Sequence, residues 1–357
     1  MRKISLALAA TMAMTIAGAA PAAGPLVIAH RGASGLRPEH TLASYKLAIE
    51  EGADFIESDV VMTRDHVLVT RHENEISGTT DVADHPEFAQ RRRTVTVDGQ
   101  ELTGWFTEDF TLAELKTLRA RERLGDLRPA NRQYDGQFAV PTLQEVLDLI
   151  RAEEKRTKRR IGFYVETKHP TYHRSVGLPL EEELVAVLAR NGYTRDSDPV
   201  FIESFEVDNL RELHKLTRIR LVQLMEATGH PADQTTSYAE MATPLGFARI
   251  ASYAAGVGPD KTMILPRDDA GRSTAPTAFV ANAHRVGLVV HPWTFRNENA
   301  FLPAEMRKGT IAAEHGDFAT EYRTFRTIGV DGVFSDFPAD AIAAFQEKAE
   351  KPDQPAN

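Results

Sequence analysis

Residues 55–62 read FIESDVVM, an apolar run interrupted by two acids set two positions apart. Successive side chains of a β-strand point to opposite faces, so Glu57 and Asp59 share one face while Ile56 and Val60 share the other. Two carboxylates that close repel and raise one another's pKa unless a cation or a proton lies between them. A hard divalent cation is the simplest resolution, because all-oxygen sites suit calcium or magnesium. A third acid, Glu166, ends the run IGFYVE, with Lys168 two residues on. Three carboxylates from two neighbouring strands make a half-open metal site that leaves room for water and substrate oxygens. The competing reading pairs each acid with an arginine on a solvated rim; it suits any one of them better than it suits three together at strand ends.

The first short strand runs into His30, Arg31 and Gly32, and a second histidine, His72, follows the short run VLVTR. Two imidazoles from different segments are what acid–base displacement requires: one takes the nucleophile's proton while the other protonates the leaving oxygen. Arg31 and Lys168 would neutralise a phosphoryl group, the arginine through a bidentate fork and the lysine as a point charge. Glu39, just before a helix, suits either the positive end of that helix's dipole or a direct role at the site. His40 reads as a surface or capping residue.

These side chains need a scaffold that brings strand ends together. Eight short β-rich runs recur, most followed by a helical pattern: Leu26–Ala29, Phe55–Val61, Ile161–Glu166, Val200–Glu203, Leu221–Leu224, Gly256–Gly258, Leu288–His291 and Gly332–Ser335. Eight such units predict an α/β fold, a TIM-type (β/α)8 barrel rather than an open sheet, with inward residues at the strand ends meeting the active-site mouth. Apolar residues at three-and-four spacing mark helices after Thr41 and after Thr142. Residues 63–140 are too long for one crossover. They carry a hairpin strand, Val67–Thr70, then arginine-rich, loop-like sequence with a helix around Leu112–Leu118, and form an insertion after strand two. Within it, Arg91–Arg93 reads as a solvated loop in preference to an anion patch.

Residues 1–23 have the basic start, apolar core and small-residue end of a secretory signal peptide, and the apolar stretch is shorter than the roughly 20 residues that span a bilayer. The remainder, residues 24–349, is then one catalytic barrel ending in a short polar tail, 350–357. With no cysteine the chain can form no disulfide, thiolate metal site or lipid-modified cysteine. The expected location is the periplasm or the medium. A net charge of −9, more negative once the leader is removed, argues against general nucleic-acid binding.

Taken in order, AHRGASGLRPEHT, GADFIESDVVMTRD, LVTRHEN, YVETKH, LVQL, GVGPD, VVHPWT and GVFSDFP resemble the glycerophosphodiester phosphodiesterases, in particular the exported bacterial type. Each piece alone is modest; the combination covers nearly all of the chain after the leader. The resemblance implies a TIM-type barrel with an insertion after strand two. It assigns His30 and His72 as the acid–base pair, Glu57, Asp59 and Glu166 as metal ligands, and Arg31 as a phosphate contact. Glu39 matches the acid of the family's Glu-Asn-Thr element, and Lys168 the lysine after the third ligand. His40 stands where asparagine is usual, and Glu73 where aspartate usually follows the second histidine. Gln223 at strand five and Trp293 after strand seven complete the expected substrate contacts, the indole ring suiting either a rim position or an alcohol such as choline.

The implied reaction is metal-dependent cleavage of a glycerophosphodiester, such as glycerophosphocholine or glycerophosphoethanolamine, to sn-glycerol 3-phosphate and the alcohol. Calcium is favoured, with magnesium as the alternative. The implied partner is this small molecule, with no nucleic acid and no stable membrane insertion; monomer and dimer both stay open. Two rivals stand beside this expectation: a phospholipase of the D or C type on intact lipid, and a secreted binding protein that has lost catalysis.

Overall fold

The computed structural model describes residues 24–347; the leader, residues 1–23, and the polar tail, 350–357, lie outside them. The strands in chain order are β1 (Leu26–Ala29), β2 (Phe55–Met62), β3 (Leu68–Thr70), β4 (Arg93–Val97), β5 (Gln100–Gly104), β6 (Gly162–Thr167), β7 (Val200–Ser204), β8 (Arg220–Met225), β9 (Gly256–Pro259), β10 (Val289–Val290) and β11 (Gly332–Ser335). Eight of them, in the order β10-β9-β8-β7-β6-β2-β1-β11, form a parallel sheet, with β3 antiparallel on β2. The sheet closes just beyond β10, where Phe334 N donates to Pro292 O at 3.1 Å and Phe295 N to Phe334 O at 2.8 Å. The architecture is the expected (β/α)8 barrel.

Parallel strands covered on both faces need apolar residues on both. The outward set, including Ile56, Val60, Phe163, Val165, Ile202 and Leu221, packs with the apolar faces of the surrounding helices into the largest core. The inward set, Ile28, Phe55, Tyr164, Phe201, Val222 and Phe334, fills the barrel. Tyr164 stacks on Phe201 at 4.8 Å, and its hydroxyl lies 2.8 Å from His291 Nδ1. Two helices start where the sequence places them. Leu42–Glu50 is capped by Thr41, and Leu143–Thr157 by a reciprocal Thr142–Glu145 box, each cap worth about 1 kcal/mol.

The insertion departs from the loop-like expectation. β4 and β5 form an antiparallel hairpin whose turn, Asp98–Gly99, has positive φ at both residues, the combination a tight hairpin requires. Ile76, Val82, Phe88, Trp105, Phe110, Leu115 and Leu118 form a separate core with Val61, Val69 and Val140. The expected helix around Leu112–Leu118 is only Leu112–Leu115. The arginine run is not simply solvated: Arg91 Nη1 donates to Glu114 at 3.0 Å, and Arg93 reaches Asp109 at 2.6 Å and Glu108 at 3.1 Å.

Replacing Tyr164 by phenylalanine keeps the barrel filling but strips His291 Nδ1 of its partner. Tyr164→Phe is expected to cost about 1–3 kcal/mol in urea unfolding, the usual penalty for an orphaned buried polar atom. An unchanged midpoint would contradict that role.

Candidate active site

At the C-terminal ends of the strands a cavity of about 330 Å³ opens, lined by His30, Arg31, Glu57, His72, Glu166 and Glu203 on one side and by Phe205, Trp293, Arg267 and Arg296 on another. His30 continues the inward face of Leu26 and Ile28, and Asp336 continues that of Phe334. Parity therefore brings the two together, with His30 Nδ1 2.6 Å from Asp336 Oδ1. The other oxygen of Asp336 accepts from Arg128 at 2.6 Å and Arg296 at 2.9 Å. Nδ1 of His30 is thus committed to a carboxylate, leaving Nε2 for the cavity.

The turn after His30 is tight. Arg31 has φ +59° and Gly32 φ +86°, and a Cβ on Gly32 would come within 2.6 Å of the Ser44 backbone. This conformation lets the Arg31 amide donate to Glu57 Oε2 at 2.6 Å. The Arg31 guanidinium donates to both oxygens of Glu39, at 3.2 and 3.1 Å, and lies 3.5 Å from Asp59. Glu39 also accepts from Arg123 at 3.1 Å and does not line the cavity, so it positions Arg31 from behind. Burial works to raise its pKa, but Arg31 and Arg123 outweigh it and hold the carboxyl well below the usual range.

His40 is not the surface or cap residue expected. It is fully buried, with Nε2 2.7 Å from Asp59 Oδ2 and Nδ1 2.7 Å from the Tyr45 hydroxyl. Its φ of +54° turns the ring inward. Gln223 is a second correction. Alternation along β8 sends Val222 and Leu224 into the barrel and Gln223 toward the helices. There its amide donates to the Ser204, Phe205 and Leu224 carbonyls and accepts from the Tyr253 hydroxyl at 2.8 Å, leaving nothing for a substrate. Trp293 does reach the cavity, with its Nε1 donating to Gly258 O at 2.8 Å and its ring edge-to-face with Phe205 at 5.7 Å.

His72 follows β3 and meets β6 from the side, with Nε2 3.2 Å from Lys168 Nζ. Glu73 Oε1 lies 2.7 Å from His72 Nδ1, within ion-pair range but off the line of a hydrogen bond. The other Glu73 oxygen is 2.7 Å from His169 Nε2. Burial first, then the charge of Arg31, lowers the pKa of His30 to about 4 and of His72 to about 3.

Beneath the imidazoles lies a row of carboxylates. Asp59 is in register with Glu166, and Glu166 with Glu203, so the three project side by side from β2, β6 and β7, with Glu57 one inward position below Asp59. Lys168 Nζ is 3.0 Å from Glu166 Oε1. Burial, then Asp59, pushes Glu166 up to about 8, Lys168 pulling the other way; burial and neighbouring acids also raise Glu57 and Glu203. Glu57 Oε1 and Glu203 Oε2 are buried without a partner. The Arg31 amide takes Glu57 Oε2, the Arg31 guanidinium and His40 both meet Asp59 Oδ2, and Lys168 takes Glu166 Oε1; among the described residues no three acidic or imidazole groups converge as a ready-made metal cluster. Glu203 and Asp336 are the site residues that sequence reasoning did not assign; the alternation that exposed Glu57 and Asp59 would have found both.

A model of the glycerophosphoryl diester phosphodiesterase family matches residues 30–340. Glycerophosphodiester phosphodiesterase GDPD6 of Arabidopsis thaliana is 38% identical over 88% of this chain and 84% of its own. Glycerophosphodiester phosphodiesterase of Bacillus subtilis is 33% identical over 76% and 77%. Among solved structures, a phosphodiesterase of Oleispira antarctica in complex with the product sn-glycerol-3-phosphate superposes with a TM-score of 0.59 at 22% identity, over 91% of this chain and 98% of that one.

An ordinary histidine protonates near 6.5, so between there and pH 4 the folded chain holds His30 and His72 neutral. In ¹⁵N NMR of the protein, their ring nitrogens are expected to keep neutral-imidazole shifts from pH 8 down to pH 5. A transition centred near 6.5 would contradict the burial and charge described.

Proposed function

The chain belongs to the glycerophosphoryl diester phosphodiesterase family and is a phosphodiesterase of that class; from that premise we propose that it hydrolyses small glycerophosphodiesters such as glycerophosphocholine and glycerophosphoethanolamine, with a divalent cation and two-histidine acid–base catalysis. The observation that carries this reading is the row of buried carboxylates beneath two imidazoles from different segments, with Glu57, Glu166, Glu203 and both imidazoles lining one cavity and Asp59 beside it. The leader pattern of residues 1–23 supports an exported enzyme.

The donor set fits a hard cation: only oxygens are offered by the acids, and Glu57 Oε1 is a buried carboxylate oxygen with no protein partner. Glu57, Asp59 and Glu166 would hold the ion, calcium in preference to magnesium. When bound, it supplies positive charge that lowers the pKa of a coordinated hydroxyl and steadies the phosphoryl oxygens. His30, oriented by Asp336, offers Nε2 as the base that takes the proton of the glycerol hydroxyl next to the phosphate. That hydroxyl attacks phosphorus, and the bond to the alcohol's oxygen breaks as His72 supplies its proton. The anionic phosphodiester beside His72 favours the protonated ring needed for this step. Water then opens the cyclic phosphate with the two roles exchanged. Arg31, fixed by Glu39, and Lys168 balance the phosphoryl charge, and Trp293 with Phe205 borders the alcohol.

Purified protein is expected to release sn-glycerol 3-phosphate from glycerophosphocholine, to stop on chelation and to recover with calcium; no product with any metal would sink the proposal. His30→Ala and His72→Ala should each lower kcat by about 10²–10⁴-fold, the usual contribution of a general acid or base. Protons compete with the ion for a carboxylate whose pKa is pushed up to about 8. Calcium affinity should therefore rise from pH 6 to pH 8, with protons released on binding; calorimetry in two buffers of different ionisation enthalpy measures both.

A further inference from the structure

We infer that Glu203 is a fourth carboxylate ligand of the cation site, in addition to Glu57, Asp59 and Glu166; this rests on the metal-dependent reading above. Glu203 projects from β7 in register with Glu166, as Glu166 does with Asp59 on β2. Neighbouring strands lie about 4.8 Å apart, so Glu203 and Glu166 extend side by side into the mouth, near enough for one ion to draw on both. Its side chain faces the same cavity as Glu57 and Glu166.

The absence of any other partner is what sets Glu203 apart. It is 2% exposed, its Oε2 is unsatisfied, and its side chain makes no hydrogen bond or ion pair among the described residues. Glu57 has at least the Arg31 amide, and further acids buried around this mouth have cations: Glu298 and Asp336 share Arg128, Glu321 has Lys261 at 2.8 Å, and Glu39 has Arg31. The ammonium of Lys168, just past the end of the neighbouring strand β6, is already taken by Glu166 at 3.0 Å and His72 at 3.2 Å. A buried carboxylate without a donor or a counter-charge is costly unless a cation meets it. A fourth carboxylate raises the number of oxygens on offer, which suits the larger coordination sphere of calcium over the octahedral one of magnesium.

Calcium titration of the full chain by calorimetry tests this, comparing wild type with the isosteric Glu203→Gln. The variant is expected to bind calcium at least about tenfold more weakly, in line with losses seen when even outer partners of a metal site are removed. Its rise in melting temperature on adding calcium should shrink, and the gap between calcium and magnesium affinity should narrow. Equal calcium affinity in the two proteins would overturn the assignment while leaving the three-carboxylate site standing. Wild-type protein that hydrolyses substrate yet binds no calcium would overturn this inference together with the metal reading. Should the glutamine variant not fold, Glu203→Asp, which keeps the charge but shortens the reach, is read in the same way: weaker binding is expected, and unchanged affinity overturns the proposal.

Discussion

Four carboxylates buried within three adjacent strands cannot all ionise at the barrel mouth unless positive charge is brought to them. Much of the surrounding structure answers that constraint. The left-handed turn at Arg31 and Gly32 brings one amide and one guanidinium to Glu57 and Asp59. His40 is buried against Asp59, and Lys168 leans back along β6 to Glu166. Three oxygens are occupied in this way, and Glu57 Oε1 and Glu203 Oε2 keep no protein partner. The acids' own neighbours thus neutralise only part of the row, which is what the proposed cation site requires.

The same economy governs the two imidazoles. Each has one ring nitrogen beside an acid, Asp336 for His30 and Glu73 for His72, and each acid is itself held by a cationic or imidazole group from elsewhere in the chain. For His30 that group is Arg128 of the insertion, which also binds Glu298 and the Ser34 carbonyl. The insertion is therefore structural support for the barrel mouth. Its own apolar core gives Arg128 a fixed origin.

The barrel was legible because strands covered on both faces show as short, largely apolar runs, interrupted here by Glu57, Asp59 and Gln223 and thinnest at Gly256–Gly258. Glu57, Asp59 and Glu166 stood out because three acids together at strand ends suit a solvated rim less well than any one of them alone. Residues whose role depends on facing direction were missed when alternation was not carried through. Gln223 is one position out of phase with Val222 and Leu224, whereas Glu203 is in phase with Phe201. His40 owes its burial to a backbone turn that no periodicity announces. The insertion's core draws on residues scattered from Val61 to Val140 among polar sequence, so neither period two nor period 3.6 is visible there, although Asp98–Gly99 carries a recognisable hairpin signal.

His30 and the carboxylate that orients it are 306 positions apart in the chain. The pair exists only after β11, the last strand, has docked beside β1, the first. Contacts of such long range form late, because the loop-closure entropy must be met before they are made. A chain still emerging from the ribosome, or one clipped ahead of Gly332, holds the histidine but not its partner. The order of synthesis thereby withholds the oriented imidazole until the barrel is whole.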